Sequence, residues 1–170
     1  NAAALLRDAG GPVHVLLVGD GPERAGLTRL ALSLGLADLV TLPGRLPAER
    51  ALAAHAALDI FVVPRTDVRV TRLVTPLKPV EAMALGRPVV ASQLPALAEL
   101  LDDGAAGVLV PPDDPVALAT ALAELRDDPA ARERLGAVGR DVVAASRTWD
   151  RIAHTYRDLY ARLDALSSRT

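Results

Sequence analysis

A repeated alternation constrains this chain more than any other feature: a short apolar run, a Gly or Pro turn, then about ten residues with helical spacing. The runs are Val13–Val18 (VHVLLV), Leu39–Leu42, Asp59–Val63 (DIFVV), Pro88–Ala91 and Gly107–Val110. They show little polar alternation, so they read as strands apolar on both faces, as in a parallel sheet covered by helices. Helices are predicted from the Gly19–Pro22 turn to Leu34, over Pro47–Ala57, over Pro76–Leu85 and over Pro95–Leu101. Ala2–Ala9 reads as the end of a helix, stopped by Gly10, Gly11 and Pro12. Right-handed crossovers place such helices on both faces of the sheet. Three further helices, Pro115–Arg126, Pro129–Ala145 and Trp149–Leu166, have no strands between them and form a helical tail. The predicted fold is α/β, a doubly wound parallel sheet of about five strands. With no repeat, no low-complexity stretch and no linker, residues 1–170 read as one domain.

Composition narrows the function. Nineteen basic against twenty-one acidic residues, a net charge of −2, argue against a nucleic-acid footprint. One Trp, two Tyr and one Phe leave no stacking platform for single strands. The absence of cysteine excludes disulfides, thiolate metal sites and a cysteine nucleophile. No uncharged run exceeds eleven residues, well short of the roughly 20 that a membrane span needs. The chain begins at Asn1 without Met or a signal-peptide pattern, and is expected to be a piece of something longer.

Ligands of open parallel sheets bind outside the carboxyl ends of the strands. The loops there are Gly19–Pro22, Gly44–Pro47, Pro64–Thr75, Ser92–Pro95 and Pro111–Asp114. The longest, Pro64–Thr75, carries Arg65, Arg69 and Arg72 and leads into a helix. Thr75 suits the N-cap of that helix, Pro76 its first position, and Lys78 follows within a turn. A helix N-terminus turns spare N–H groups and a positive dipole end towards an anion, so this is a place for a phosphate. Glu81, further along the same helix, is an acceptor-only group with two oxygens, suited to the vicinal hydroxyls of a ribose. The alternative is a solvent-facing Glu paired with a neighbour, and for Lys78 a surface lysine. Arg65 and Arg72 either meet phosphate or acceptor, or only solubilise the loop.

Taken together, these segments resemble a family. Val74–Ser92 (VTPLKPVEAMALGRPVVAS) resembles the donor-binding signature of group 1 (family 4) retaining glycosyltransferases of the GT-B fold. Four other segments agree in order and spacing: Val15–Pro22, Val40–Leu46, Asp59–Pro64 and Thr148–Asp150. The likeness runs along essentially the whole chain. It implies a Rossmann-like C-terminal half that binds a nucleoside-diphosphate sugar, with UDP, GDP or ADP as the nucleotide. Transfer would retain anomeric configuration without a bound metal or other cofactor.

By this resemblance Glu81 is the last Glu of a Glu-x7-Glu motif and binds the ribose. Thr75, Pro76, Leu77 and Lys78 match the region that holds diphosphate and sugar. Gly19 and Gly21 match the family's glycine turn, and Gly44 and Arg45 its base-binding edge. Arg65 and Arg72 are candidate phosphate or acceptor contacts, and no residue is assigned as catalytic.

Two departures stand out. Leu73 occupies the place of the motif's first Glu, which contacts the donor sugar in the family, and Pro76 has no N–H to offer. Leu73 favours an alternative reading, a non-catalytic interaction module with a degenerate sugar-nucleotide pocket. The family's domain also begins with a further strand and a loop bearing Arg and Lys, and its N-terminal half binds the acceptor. Both are expected to lie outside this chain, which alone is expected to be inactive. The last helix, which crosses back to that half in the family, is expected here to pack differently or to expose apolar surface. The implied location is the cytoplasm, with peripheral membrane contact of the full enzyme left open.

Other chemistry is set aside. His14, His55 and His154 are scattered, and His14 reads as structural. His154 and Asp158 share only ordinary helix-face spacing. Asp114 and Asp128, each before a proline, read as helix N-caps rather than metal ligands. A phosphorylase would need a pyridoxal lysine, and the only lysine, Lys78, sits at a helix start.

Overall fold

The computed structural model describes residues 1–167, although the side chains of 165 and 167 are not part of that description. The elements in chain order are α1 (Ala2–Asp8), β1 (Val15–Val18), α2 (Arg24–Ser33), β2 (Val40–Gly44), α3 (Ala48–Ala57), β3 (Phe61–Val63), α4 (Arg69–Leu73) and α5 (Leu77–Ala84). They continue with β4 (Val89–Ser92), α6 (Pro95–Leu100), a 3₁₀ turn (Asp102–Gly104), β5 (Val108–Val110), α7 (Pro115–Asp127), α8 (Pro129–Ser146) and α9 (Trp149–Ser167). All five predicted strands form, and every pairing is parallel. The hydrogen bonds divide them into two ladders, β1–β2 and β3–β4–β5, rather than one continuous sheet.

Burial differs between the two ladders. β4 lies between β3 and β5, and all four of its residues are buried. Its side chains alternate between two cores, as a pleated strand requires. Val89 and Ala91 join Phe61, Ala82, Met83, Leu94, Leu97, Leu100 and Val143. Val90 faces the other way, onto Val110, Ala121 and Leu125. Helices therefore cover both faces, which is the doubly wound, Rossmann-like arrangement. β1 is equally apolar (VLLV) yet none of its residues is buried, and Leu17 is 40% exposed. It pairs with β2 on one side only.

The two ladders are tied together through helices and long side chains. α1 packs on α7, and α3 on α5. Arg126 donates to the Gly10 carbonyl at 2.9 Å. Arg7 donates to the carbonyls of Leu34 and Gly35, where α2 ends. Asp114 accepts from the N–H groups of Val116 and Ala117, both at 2.9 Å, and Asp128 from that of Ala131 at 2.9 Å, so both act as caps.

Two differences from expectation bear on the site. The loop after β3 contains a short helix, α4. Thr71 Oγ1 nucleates it by accepting from Val68 N–H (3.1 Å) and donating to the Thr66 carbonyl (2.6 Å). And α5 starts one residue late. Pro76, not Thr75, is its cap residue, because Pro76 is extended (φ −75°, ψ 147°) and Leu77 is the first helical position. α9 exposes apolar surface as expected, with Trp149 84% exposed and Tyr156, Leu159, Tyr160 and Leu163 also open.

α8 crosses α5 where backbones nearly touch. A Cβ on Gly136 would stand 2.1 Å from the Gly86 carbonyl oxygen, which cannot yield without moving the end of α5. Gly26 on α2 is different, its nearest neighbour being the Glu23 carboxylate at 3.6 Å. Gly136→Ala is expected to cost about 1–3 kcal/mol through overpacking. Gly26→Ala is expected to leave stability unchanged or raise it by about 0.5–1 kcal/mol. Urea denaturation of the two variants, compared through their midpoints, checks the contrast.

Candidate functional site

The site is built on α5, and helical phase decides what α5 offers. Pro79, Ala82 and Met83, spaced three and four apart, face the core and are fully buried or nearly so. That phase turns Lys78 and Glu81, three residues apart, to the outer side, and both are exposed. Among the described residues they do not pair with each other, and Lys78 has no hydrogen-bond or ion-pair partner at all. An unpaired cation therefore stands at the second position of the helix. Pro76 and Pro79 carry no N–H, so the spare donors of the first turn are the amides of Leu77 and Lys78.

The approach to α5 is pinned from β4. Ser92, the one buried polar residue among the described residues, accepts the Arg65 N–H at 2.8 Å. The Arg65 guanidinium then donates to the Val74 carbonyl at 3.1 Å, just before Thr75. Arg65 thus spans from the end of β3 to the start of α5. Arg72 turns elsewhere. It forms a fork with Asp67 within the loop, one arm at 2.6 Å. That hydrogen bond, then the charge of Arg72, holds the Asp67 carboxyl below its ordinary value. Leu73 lies beside this pair, 70% exposed, on a depression formed with Val68 and Arg69.

The glycine positions form a second group. Gly19 N–H donates to the Gly44 carbonyl at 3.0 Å, which joins the ends of β1 and β2. Asp20 accepts from Gly21 N–H at 3.0 Å and tightens the turn. Gly44 adopts φ +82° with the Arg24 guanidinium against its Cα, a place where a Cβ would meet Arg24 at 2.9 Å. Arg45, next in the chain, is exposed. No hydrogen bond or ion pair among the described residues links this group to the α5 group.

One neighbour of the site was not expected from the sequence. His55, on the last turn of α3, brings Nδ1 to 3.5 Å from Glu81 Oε2. The only hint was that His55 is the one polar side chain in an otherwise alanine-rich stretch, Ala51–Ala57. The other two histidines lie apart. His14 pairs with Thr41 Oγ1 at 2.8 Å, and the His154 ring faces Arg157 rather than Asp158. No group of three or more His, Asp or Glu among the described residues is placed to hold a metal ion. No described helix is long and apolar enough to cross a membrane.

Comparisons with known proteins agree with this architecture. The alpha-D-kanosaminyltransferase of Streptomyces kanamyceticus is 31% identical over 162 residues, covering 93% of this chain and 41% of that enzyme. The sucrose-phosphate synthase of Thermosynechococcus elongatus superposes with a TM-score of 0.81 at 33% identity, over 97% of this chain and 41% of that one. The Anabaena protein Alr3699/HepE, solved in complex with UDP, superposes with a TM-score of 0.70 at 25% identity, over 98% and 44%. The chain spans about two fifths of the length of these proteins. The family model for glycosyl transferases group 1 matches residues 1–128, and the chain belongs to that family.

Proposed function

We propose that the chain is the donor-binding part of a retaining glycosyltransferase, and that the α5 site holds a nucleoside-diphosphate sugar. The observation that carries the reading is the outer face of α5, where an unpaired Lys78 and two spare amides stand one turn before an exposed carboxylate, Glu81. A diphosphate at the helix start and a ribose beside Glu81 match this spacing of cation and acceptor. The UDP complex of the HepE relative supports a nucleoside diphosphate as the ligand.

The chemistry assigned to these residues is positioning and charge stabilisation. When the sugar–phosphate bond breaks, negative charge grows on the departing diphosphate. Lys78, the amides of Leu77 and Lys78 and the positive end of α5 would stabilise it there, in place of a metal ion. Glu81 would fix the ribose, and Gly44 and Arg45 would border the base. Thr75 and Pro76 would line the turn beneath the diphosphate, with Arg65 holding that turn. Arg72, paired with Asp67, is a weaker candidate for phosphate contact. Closure against an acceptor-binding domain would exclude water and favour transfer over hydrolysis. Leu73 points to a second reading. With an exposed leucine where the family's motif has a carboxylate, the site would bind nucleotide without acting on a sugar.

Calorimetric titration of the chain with UDP, GDP and ADP tests the reading. One of the three is expected to bind selectively, and Glu81→Ala to weaken it at least tenfold, as befits lost hydrogen bonds to a charged acceptor. Binding of none, or binding indifferent to Glu81→Ala, would sink the assignment. Lys78→Ala is expected to weaken the nucleoside diphosphate about tenfold while leaving the matching free nucleoside unaffected, because the ammonium meets only phosphate. Equal losses for both ligands would remove Lys78 from the phosphate site. The second reading predicts that the nucleotide sugar binds no better than the bare diphosphate in the same titration.

A further inference from the structure

The ring of His55 is held on three sides. It sits in the last turn of α3, its side chain is only 14% exposed, and it meets Phe61, the first residue of β3, edge to face (centroids 5.1 Å apart, planes at 78°). Its third neighbour is α5, on which α3 packs. So placed, its Nδ1 is shut off from solvent and has no hydrogen-bond partner. The nearest acceptor is Glu81 Oε2 at 3.5 Å, a few tenths of an ångström beyond a good N–H···O bond. A buried donor left unmade is unfavourable, so the ring gains when the carboxylate closes that gap. Glu81 for its part is 54% exposed and has no other partner among the described residues. Left alone, such a side chain samples several rotamers and must be immobilised when a ligand binds.

We propose that His55 is a positioning residue: its Nδ1–H clamps one oxygen of Glu81 and so presents the carboxylate, already oriented, to the two hydroxyls of a ribose. The proposal rests on the assignment of Glu81 to the ribose made above. The valences permit it. An ionised carboxylate offers about four acceptor positions, one taken by His55 and at least two left for vicinal hydroxyls. Either the cationic ring or its neutral Nδ1–H tautomer supplies the donor. The clamp is a matter of ligand recognition more than of folding, because an ion pair with so exposed a carboxylate contributes little to stability.

The test compares ribo- and 2′-deoxyribonucleoside diphosphates of uracil, guanine and adenine on the 170-residue chain by calorimetry. The wild type is expected to prefer the ribo form. His55→Phe, which fills the space against Phe61 without a donor, is expected to lose about tenfold in affinity for the ribo form and distinctly less for the deoxy form, which keeps only the 3′-hydroxyl for Glu81. His55→Asn, whose amide nitrogen falls close to the place of Nδ1, is expected to retain most of the preference. If circular dichroism shows His55→Phe to be unfolded, His55→Leu against His55→Asn reads the same difference. A packing role alone would weaken both forms equally, and that result would overturn the clamp. So would a preference intact in His55→Phe but abolished by Glu81→Ala. No preference in the wild type, or one indifferent to Glu81→Ala, would instead remove Glu81 from the ribose and the clamp with it.

Discussion

A strand at the centre of a parallel ladder needs cover on both faces, and the structure is organised by how β4 meets that demand. Its residues alternate between a core built with α5, α6 and α8 and a core built with α7. Both cores must form for β4 to be buried, and β3 and β5 must flank it to satisfy its backbone. The position of α5 follows, because Ala82 and Met83 are fixed in the first core. Once these two are inside, the helical period leaves Lys78 and Glu81 outside. The chemistry of the site is thus the complement of a packing pattern, which sets the side of α5 from which both side chains leave.

The end of β4 does more than close the sheet. Ser92 is buried with its hydroxyl turned to the Arg65 amide, and Arg65 in turn holds the Val74 carbonyl. This chain of two hydrogen bonds fixes where the segment after β3 leaves the sheet and where it enters α5. Between the two anchors, α4 with its Asp67–Arg72 pair folds locally and stays on the surface. The segment is anchored at both ends and exposed in the middle, an arrangement suited to a loop bordering a ligand. Strand ends supply rigidity, and the loop between the anchors exposes Leu73 and the Asp67–Arg72 pair.

What could be read from the sequence, and what could not, divides along the range of the forces involved. The five strands were legible because each is a compact apolar run between turn residues, and the two aspartate caps because each precedes a proline. Lys78 and Glu81 were legible as a pair because three residues along a helix is a local relation. α4 was not foreseen, since its five residues carry no apolar period and its start depends on a threonine hydroxyl reaching back to Thr66. The start of α5 shifted by one residue because a proline at the cap and a proline at the first helical position look alike in sequence, and only ψ separates them. The split into two ladders was out of reach too. An apolar strand declares that it wants partners on both sides, as β1 does, but not whether both are present.

His55 shows the same limit at the level of a single side chain. Nothing within α3 makes it more than one polar residue among alanines. Its significance comes from Phe61, which follows it by six residues, and Glu81, which follows it by twenty-six, and both relations exist only once α3 packs against β3 and α5. An aromatic edge contact fixes the plane of the imidazole, burial removes water as an alternative partner for Nδ1, and a single carboxylate oxygen is left within reach. Each of these conditions is weak alone. Together they turn an otherwise free carboxylate into one with a preferred orientation, and the cost of ordering it moves from ligand binding to folding, where the packing of α3 on α5 already supplies the geometry.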